Sequence, residues 1–389
     1  MKILFVTYDF PFPINSGGKN RAYHLMKQAS YDADIFLYSF TRNSYQNKHN
    51  LELEKIGVKK IFTHTRQNKK SFSALLKTLS SSSSIFKNLY FEKNVLNELI
   101  DIIKQEHIEL VIYESFYTSF YIDEEIKKLN VKQIYGSENI EHILYHDLAK
   151  TKGKIVGSLY SSQVNRVRSE EENAYKNSDL IFAVTQEEKE YIQKKTKTPV
   201  SVIPNGINPD VFTFKKKGRV EKKLLFVGNF AYFPNIDAMN FFYKEVFLKI
   251  PDAILTVVGK HQEKLPYLIS DTRVKNIDYV ENIEEAYHNS DIFVFPVRFG
   301  GGTNYKVLEA ASCGTAIVAI PDRVAGLGFS PDVHYISATS PTEFIDGINL
   351  LTQDKKLYDS IVKNARHVIE NNFTWRKIGE SFIKSLKNI

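Results

Sequence analysis

Cysteine is almost missing from this sequence. Of 389 residues only Cys313 carries a thiol, so no intrachain disulfide can form and no cysteine-built metal site is available. Long apolar runs are missing too, and none approaches the ~18 residues a membrane-crossing helix needs. The N-terminal apolar stretch, Met1 to Thr7, is broken at Tyr8-Asp9 before a signal-peptide core could develop, so it reads as a strand and the expected location is the cytoplasm. There is no G-x-G-x-x-G fingerprint, no short internal repeat, and no recognised nucleic-acid-binding module. Neither sign of charge is scarce. Lys and Arg number 52 against 45 Asp and Glu, giving a net charge of +7 and a pI near 9.0. That balance suits anionic partners, and it is equally met by a lysine-rich composition spread along the chain.

What is present is an alternation. Ile3–Val6, Ile35–Tyr38, Leu110–Tyr113 and Leu180–Val184 are short apolar runs bounded by polar residues, the pattern of buried parallel strands, and a further strand is expected at Lys132–Tyr135. Helical spacing lies between them, as in Val95, Leu96, Leu99, Ile102 and Ile103. After the turn-rich Pro204-Asn205-Gly206-Ile207-Asn208-Pro209 and the basic Lys215-Lys216-Lys217-Gly218-Arg219, the pattern restarts at Leu224–Gly228. It continues through Ile254–Val258, Ile292–Phe295 and Ala316–Ala319. The expectation is an α/β protein of two Rossmann-like domains, over residues 1–208 and 222–371. A solvated linker at 209–221 joins them, and a last helix at 372–389 returns to the first domain. A stretch at 69–91 mixes lysines with aromatics around a serine run, and fits either a membrane-lying surface or an ordinary packed helix pair.

Two loops carry candidate chemistry. The first follows strand one and ends in Ser16-Gly17-Gly18, with a helix expected from about Lys19 to Arg21. Glycines at a helix N-terminus let backbone N–H groups approach an anion, although a plain turn would look the same. The second loop, Pro296 to Gly314, is richer. Its glycines Gly300-Gly301-Gly302 are followed by Thr303, a suitable N-cap, and by a helix that Gly314 should close. Lys306 and Glu309 are three apart on one helix face. Arg298, Lys306 and the helix N-terminus can converge on a diphosphate, while Glu309 can accept hydrogen bonds from ribose hydroxyls. A third segment, Tyr135 to His142, ends a strand in the first domain. Glu138 and Asn139 are its site candidates, whereas His142 reads better as a core or helix-surface histidine.

These segments, taken together, resemble glycosyltransferase family 4 of the GT-B fold along essentially the whole chain. The resemblance rests on Pro11 through Arg21, Asn139-Ile140-Glu141, Asn177 through Thr185, and Val202 through Ile207. It extends to Phe226-Val227-Gly228-Asn229-Phe230 with Pro234-Asn235-Ile236-Asp237-Ala238, Asn289 through Pro296, and the Arg298-to-Gly314 block. The resemblance implies domains facing across a cleft and retaining transfer from a UDP- or GDP-linked sugar to a saccharide or lipid-linked saccharide acceptor. Arg298 and Lys306 would neutralise the leaving diphosphate, and Glu309 would hold the ribose. Gly17 and Gly18 would offer backbone N–H groups from the first domain, beside the catalytic candidates Glu138 and Asn139. The donor side would include Gly228, Asn229, Gly301, Gly302, Thr303, Asn304 and Val307. The base would sit in a loop after the fourth strand of the second domain, near Val280 to Ile283.

The sequence departs from the family's pattern at two places. Gly301 stands where the family commonly has a first glutamate, and Glu138 where the subgroup with Lys at the place of Lys306 often has histidine. With retention the donor phosphate can itself take the acceptor's proton, and no carboxylate pair suggests a nucleophile and an acid. Neither a cofactor nor a metal is expected, and nucleic acid is not an expected partner. The competing readings are a catalytically degenerate binding subunit and a sugar-nucleotide epimerase of the same fold. Surface polysaccharide synthesis at the inner membrane face is the expected setting.

Overall fold

The computed structural model describes residues 1–41, 49–66, 78, 81–151, 154–298 and 304–389. Its contacts divide the chain into unit 1, Met1–Asn205 with Ile378–Ile389, and unit 2, Gly206–Lys377.

Unit 1 is built on a seven-stranded parallel sheet. Its strands are β1 (Lys2–Thr7), β2 (Asp34–Thr41), β3 (Val58–Thr65), β4 (Leu110–Glu114), β5 (Lys132–Gly136), β6 (Leu180–Ala183) and β7 (Val200–Val202), in the order β3-β2-β1-β4-β5-β6-β7. The inner strands are largely apolar because helices cover both faces of the sheet, and Ile3 to Val6 have no exposure at all. Helix Gly17–Ala29 starts two residues before the expected point, and its buried face is Arg21, Ala22, Leu25, Met26 and Ala29. The C-terminal helix, Trp375–Lys387, brings Phe382 within 6.4 Å of the Phe5 ring and 5.3 Å of the Phe182 ring. Gly379 permits this packing, since a Cβ there would lie 2.5 Å from Gln28 Oε1.

Unit 2 repeats the plan with six parallel strands. These are β8 (Lys223–Val227), β9 (Ile254–Val258), β10 (Val274–Ile277), β11 (Ile292–Phe295), β12 (Ala316–Ala319) and β13 (Ile336–Ser337), in the order β10-β9-β8-β11-β12-β13. In both sheets the order reverses at the first strand, and the crevice outside the carboxyl ends of the strands flanking that reversal is where such sheets bind ligands.

Most of the expected linker is exposed, but two of its residues are buried. Val220 lies in the core of unit 2, and Lys217 is buried with its Nζ donating to His288 O at 2.5 Å and Tyr287 O at 3.4 Å. Those carbonyls end helix Ile283–His288, where a cation is favoured by the helix dipole. Of the 69–91 stretch, residues 69–77, 79 and 80 lie outside those described. Among the described residues no helix is long and apolar enough to cross a membrane.

Candidate functional site

In unit 2 the order reverses beside β8, between β9 and β11, and the loops leaving β8 and β11 hold most of the candidates. Gly228 directly follows β8. A Cβ at that position would sit 2.9 Å from both Asn235 Cγ and Phe226 Cε1, so only glycine fits against them. Gly259, after β9, is at φ +146, and its Cβ would fall 2.0 Å from Gly228 O. The two loops therefore touch through bare backbone. Asn235 is buried and donates from Nδ2 to Asn229 O at 2.8 Å, while its Oδ1 lies 3.4 Å from Lys306 Nζ. Asn229 is exposed, and its Oδ1 accepts from the N–H of Ala231 at 2.8 Å.

Helix Tyr305–Cys313 positions the charged pair. Gly314 closes it in the left-handed region at φ 74, as expected, with a 2.7 Å approach to Phe214 that also calls for glycine. Asn304, not Thr303, occupies the N-cap position, and its side chain donates to Arg323 O at 2.9 Å without capping the helix. Gly301, Gly302 and Thr303 lie outside the described residues. Glu309 Oε2 accepts from the buried Tyr287 hydroxyl at 2.7 Å. Burial pushes Lys306 down to about 8, with Glu309 opposing, and burial raises Glu309, with Tyr287 and Lys306 opposing. The pair therefore holds a cation whose proton is weakly retained beside a carboxylate already oriented by a phenol.

Arg298 is oriented differently. Its guanidinium makes a two-point bond to Asp237, Nε to Oδ2 at 2.9 Å and Nη2 to Oδ1 at 2.6 Å, and lies 5.3 Å from the Phe241 ring centroid. Asp237, Asn235 and Tyr287 contact the candidates Arg298, Lys306 and Glu309, and none of the three was itself a candidate. The first two sit in the Pro234-to-Ala238 block already singled out, and Tyr287 had no signal beyond its place in a helix. Val307 is fully buried in the core, and its N–H donates to Asn304 O at 2.9 Å, so neither its side chain nor its amide faces outward. Val280 and Ile283 are half-buried against the same core. The segment carrying them follows β10, the third strand of the unit and not the fourth, and Ile283 already begins a helix. Tyr279 beside them is 70% exposed.

In unit 1 the order reverses beside β1, between β2 and β4, where the chemistry is of the opposite sign. Arg21, fully buried on helix Gly17–Ala29, donates from Nε to Glu114 Oε2 at 3.2 Å and from Nη1 to Ile203 O at 2.7 Å. Glu114 Oε1, Arg21 Nη2 and the Ser115 hydroxyl are buried with no hydrogen-bond partner, and Ser115 is held at φ 95. Such orphaned atoms and a non-glycine positive φ each cost about 1–3 kcal/mol, and they mark a place where a ligand or water would be accommodated. Glu138 faces the glycine turn, its Oε1 standing 2.7 Å from where a Gly18 Cβ would be. Burial pushes Glu138 up to about 7, Glu114 adds to this, and Arg21 opposes it. Gly17 opens the helix, with Ser16 as an N-cap that contributes no side-chain bond. Asn139 is half-buried, and its carbonyl accepts from Ser137 Oγ at 3.0 Å. His142 is a core histidine, bonded through Nδ1 to Glu171 at 2.5 Å and through Nε2 to Tyr191 at 2.7 Å.

Among the described residues no three His, Cys, Asp or Glu side chains are grouped to hold a metal ion. The chain does contain one Asp-x-Asp spacing, Asp32-Ala33-Asp34. Both carboxylates are exposed where β2 begins, at the opposite end of the strands from the groups above.

Comparison with known proteins gives this arrangement a context. The model of the family described as glycosyl transferases group 1 matches residues 221–354, which covers the helix with Lys306 and Glu309. An uncharacterized glycosyltransferase of Methanocaldococcus jannaschii is 22% identical over 311 residues, 71% of this chain and 78% of that protein. Sucrose-phosphate synthase from Thermosynechococcus elongatus superposes with a TM-score of 0.74 at 14% identity, covering 100% of this chain and 99% of the other. Anabaena HepE, solved with UDP-glucose, gives 0.67 at 15% identity and covers 100% of both chains. TarM from S. aureus, solved with fondaparinux, alpha-GlcNAc-glycerol and UDP, gives 0.71 at 13% identity and covers 99% of each. Each unit of this chain is thus a parallel-sheet α/β domain, and the fold is that of the GT-B glycosyltransferases.

Proposed function

We propose that this chain is a retaining glycosyltransferase that takes a sugar from a UDP- or GDP-linked donor held by unit 2 and delivers it to a hydroxyl of a saccharide or lipid-linked saccharide acceptor. The observation that carries the reading is the Lys306–Glu309 pair at the order reversal of unit 2. A half-buried lysine beside a phenol-oriented carboxylate suits a nucleotide diphosphate, the cation for phosphate and the carboxylate for ribose. The group 1 match over the same residues supports it, as do structural relatives whose names include UDP and UDP-glucose.

The chemistry follows from where charge develops. As the glycosidic bond breaks, the departing diphosphate gains negative charge, and Lys306 with Arg298 stabilises that charge more than it stabilises the bound donor. Arg298 is held by Asp237 until an anion competes for its fork. Glu309 fixes the nucleoside. Gly17 and Gly18 contribute backbone N–H groups at a helix N-terminus, and Glu138 and Asn139 serve the reacting sugar in unit 1. The donor phosphate takes the acceptor's proton. Surface glycan synthesis and peripheral membrane contact belong to the same proposal, motivated by the basic-aromatic stretch at 69–91.

A thermal-shift screen against UDP, GDP and their sugar conjugates tests the reading, because a ligand of the native state raises the melting temperature by mass action. One nucleotide family should stabilise the wild type, and Lys306→Ala and Glu309→Ala should each lose the shift. No shift with any nucleotide sugar would remove the assignment.

A further inference from the structure

Another group of side chains in unit 1 has no part in the chemistry above. Arg66 comes directly after β3, Tyr8 directly after β1, and Tyr117 lies in helix Phe116–Ser119, just past β4. Tyr90 ends helix Ile85–Tyr90. The backbone N–H of Arg66 donates to Thr41 O at 3.1 Å, which fixes the residue at the carboxyl edge of the sheet. Its guanidinium carbon lies 4.0 Å from the Tyr8 ring centroid, 4.2 Å from Phe40 and 4.9 Å from Tyr90. The rings continue outward. Tyr8 and Tyr117 are 4.5 Å apart, Tyr90 and Tyr117 5.0 Å, and the Tyr117 hydroxyl meets that of Tyr145 at 2.5 Å.

Arg66 differs from the other well-packed arginines of the chain. Arg21, Arg166, Arg273 and Arg366 each donate to one or more carbonyl oxygens. Arg66 Nε and Nη2 are shielded from solvent and no oxygen accepts from them. Burial lowers its proton affinity, and Tyr8 opposes this both through space and by a side-chain hydrogen bond, with Tyr90 and Asp9 adding to the opposition through space. Ring faces attract a guanidinium but do not satisfy its in-plane N–H groups, which match an oxyanion by geometry and charge. Arg66, Tyr8, Tyr90 and Tyr117 are all only half-buried, so the cluster is open to an incoming group.

We propose that this cluster is a subsite for an oxyanion carried on a sugar ring. Arg66 receives the carboxylate or phosphate, and Tyr8, Tyr90 and Tyr117 cover the ring with their faces and hydroxyls. The acceptor is then an acidic saccharide. That last step rests on the glycosyltransferase reading, whereas the binding itself does not.

The test is ligand-observed NMR titration of the full chain with methyl glucuronide, glucose 6-phosphate and methyl glucoside, all under saturating UDP to occupy unit 2. At least one anionic sugar should bind about 10-fold more tightly than the neutral one, as a charge-assisted contact gives. Arg66→Met should abolish that preference and leave UDP affinity unchanged. Arg66→Lys, which keeps the charge and loses the planar fork, should weaken the anionic sugar roughly 3-fold or more, and it serves as the readout if the methionine variant does not fold. A preference for glucuronide assigns the oxyanion as carboxylate, and a preference for the phosphate assigns it as phosphate. Equal binding of all three sugars, or anionic binding that survives both substitutions, overturns the proposal. Anionic binding lost in Arg66→Met in a chain that fails to bind UDP keeps this subsite and removes the nucleotide-sugar reading instead.

Discussion

The two units share a strand order and differ at its reversal. In unit 2 the groups there are cations next to oxygens that already hold them, Arg298 on Asp237 and Lys306 near Asn235, with Glu309 on Tyr287. In unit 1 they are carboxylates packed against glycine and arginine, and three buried polar atoms have no partner. One scaffold fixes where a ligand can sit, and the side chains decide its charge. A satisfied, cationic set suits a constant anionic ligand such as a diphosphate. An unsatisfied set holds local strain and unmet hydrogen-bonding capacity, which suits a group that arrives only during the reaction.

The sharpest way to break this comparison is Lys306→Ala. If unit 2 stabilises the leaving group, kcat/KM in a donor-hydrolysis or transfer assay falls by about 100-fold or more. The same assay in the wild type should show kcat/KM declining as pH rises through about 8, where free Lys306 loses its proton. A loss larger for Glu138→Ala than for Lys306→Ala would move the main electrostatic work to unit 1. Next in size is Glu309→Gln. It keeps the shape and weakens the ribose contact, so calorimetry should show nucleotide affinity down by roughly 10-fold, about 1.4 kcal/mol, with kcat little changed.

Smaller again is a stability effect confined to unit 1. Glu138 has a folded pKa of about 7 against an ordinary 4.5, so the fold binds its proton more tightly than the unfolded chain does. That contribution is complete below pH 4.5 and is lost as pH rises through 7. Glu138→Gln should therefore unfold with the wild type at pH 4 and be more stable at pH 8, by about 1–2 kcal/mol or a few degrees in Tm. Equal melting temperatures at both pH values would show that Glu138 is not held neutral by its surroundings. The smallest effect is expected of Asp237→Asn. It releases Arg298 from a partly exposed pair worth roughly 0–1 kcal/mol, so KM for the donor should fall by no more than about 5-fold, and less at high salt.

The inner strands were legible, nearly all of them as apolar runs, and the four strands that escaped notice, β3, β7, β10 and β13, are the sheet edges. An edge strand is covered less completely, so β3 reads Val-Lys-Lys-Ile-Phe-Thr-His-Thr with its lysines exposed, and the sequence signal of burial disappears. The charged pair of helix Tyr305–Cys313 was legible because its members are three residues apart, as was the Gly314 cap. Arg298's partner was not, because Asp237 is 61 residues away. Val307 looked like a donor contact on the helix and is core, and Lys217 looked solvated and is buried on two carbonyls.

By itself the sequence determined what local physics can encode: the alternation of buried strands and helices, the restart that makes two α/β units, the glycine-capped helix, and the Lys306–Glu309 spacing. Tertiary structure alone decided which distant groups meet. It set Glu138 against Gly18, joined Arg21 to Glu114 across 93 residues, and enclosed Arg66 in rings from three separate elements. Periodicity and capping are written within a few residues of one another. Burial, orphaned hydrogen-bonding atoms and shifted proton affinities exist only once the sheet has brought its carboxyl edges together.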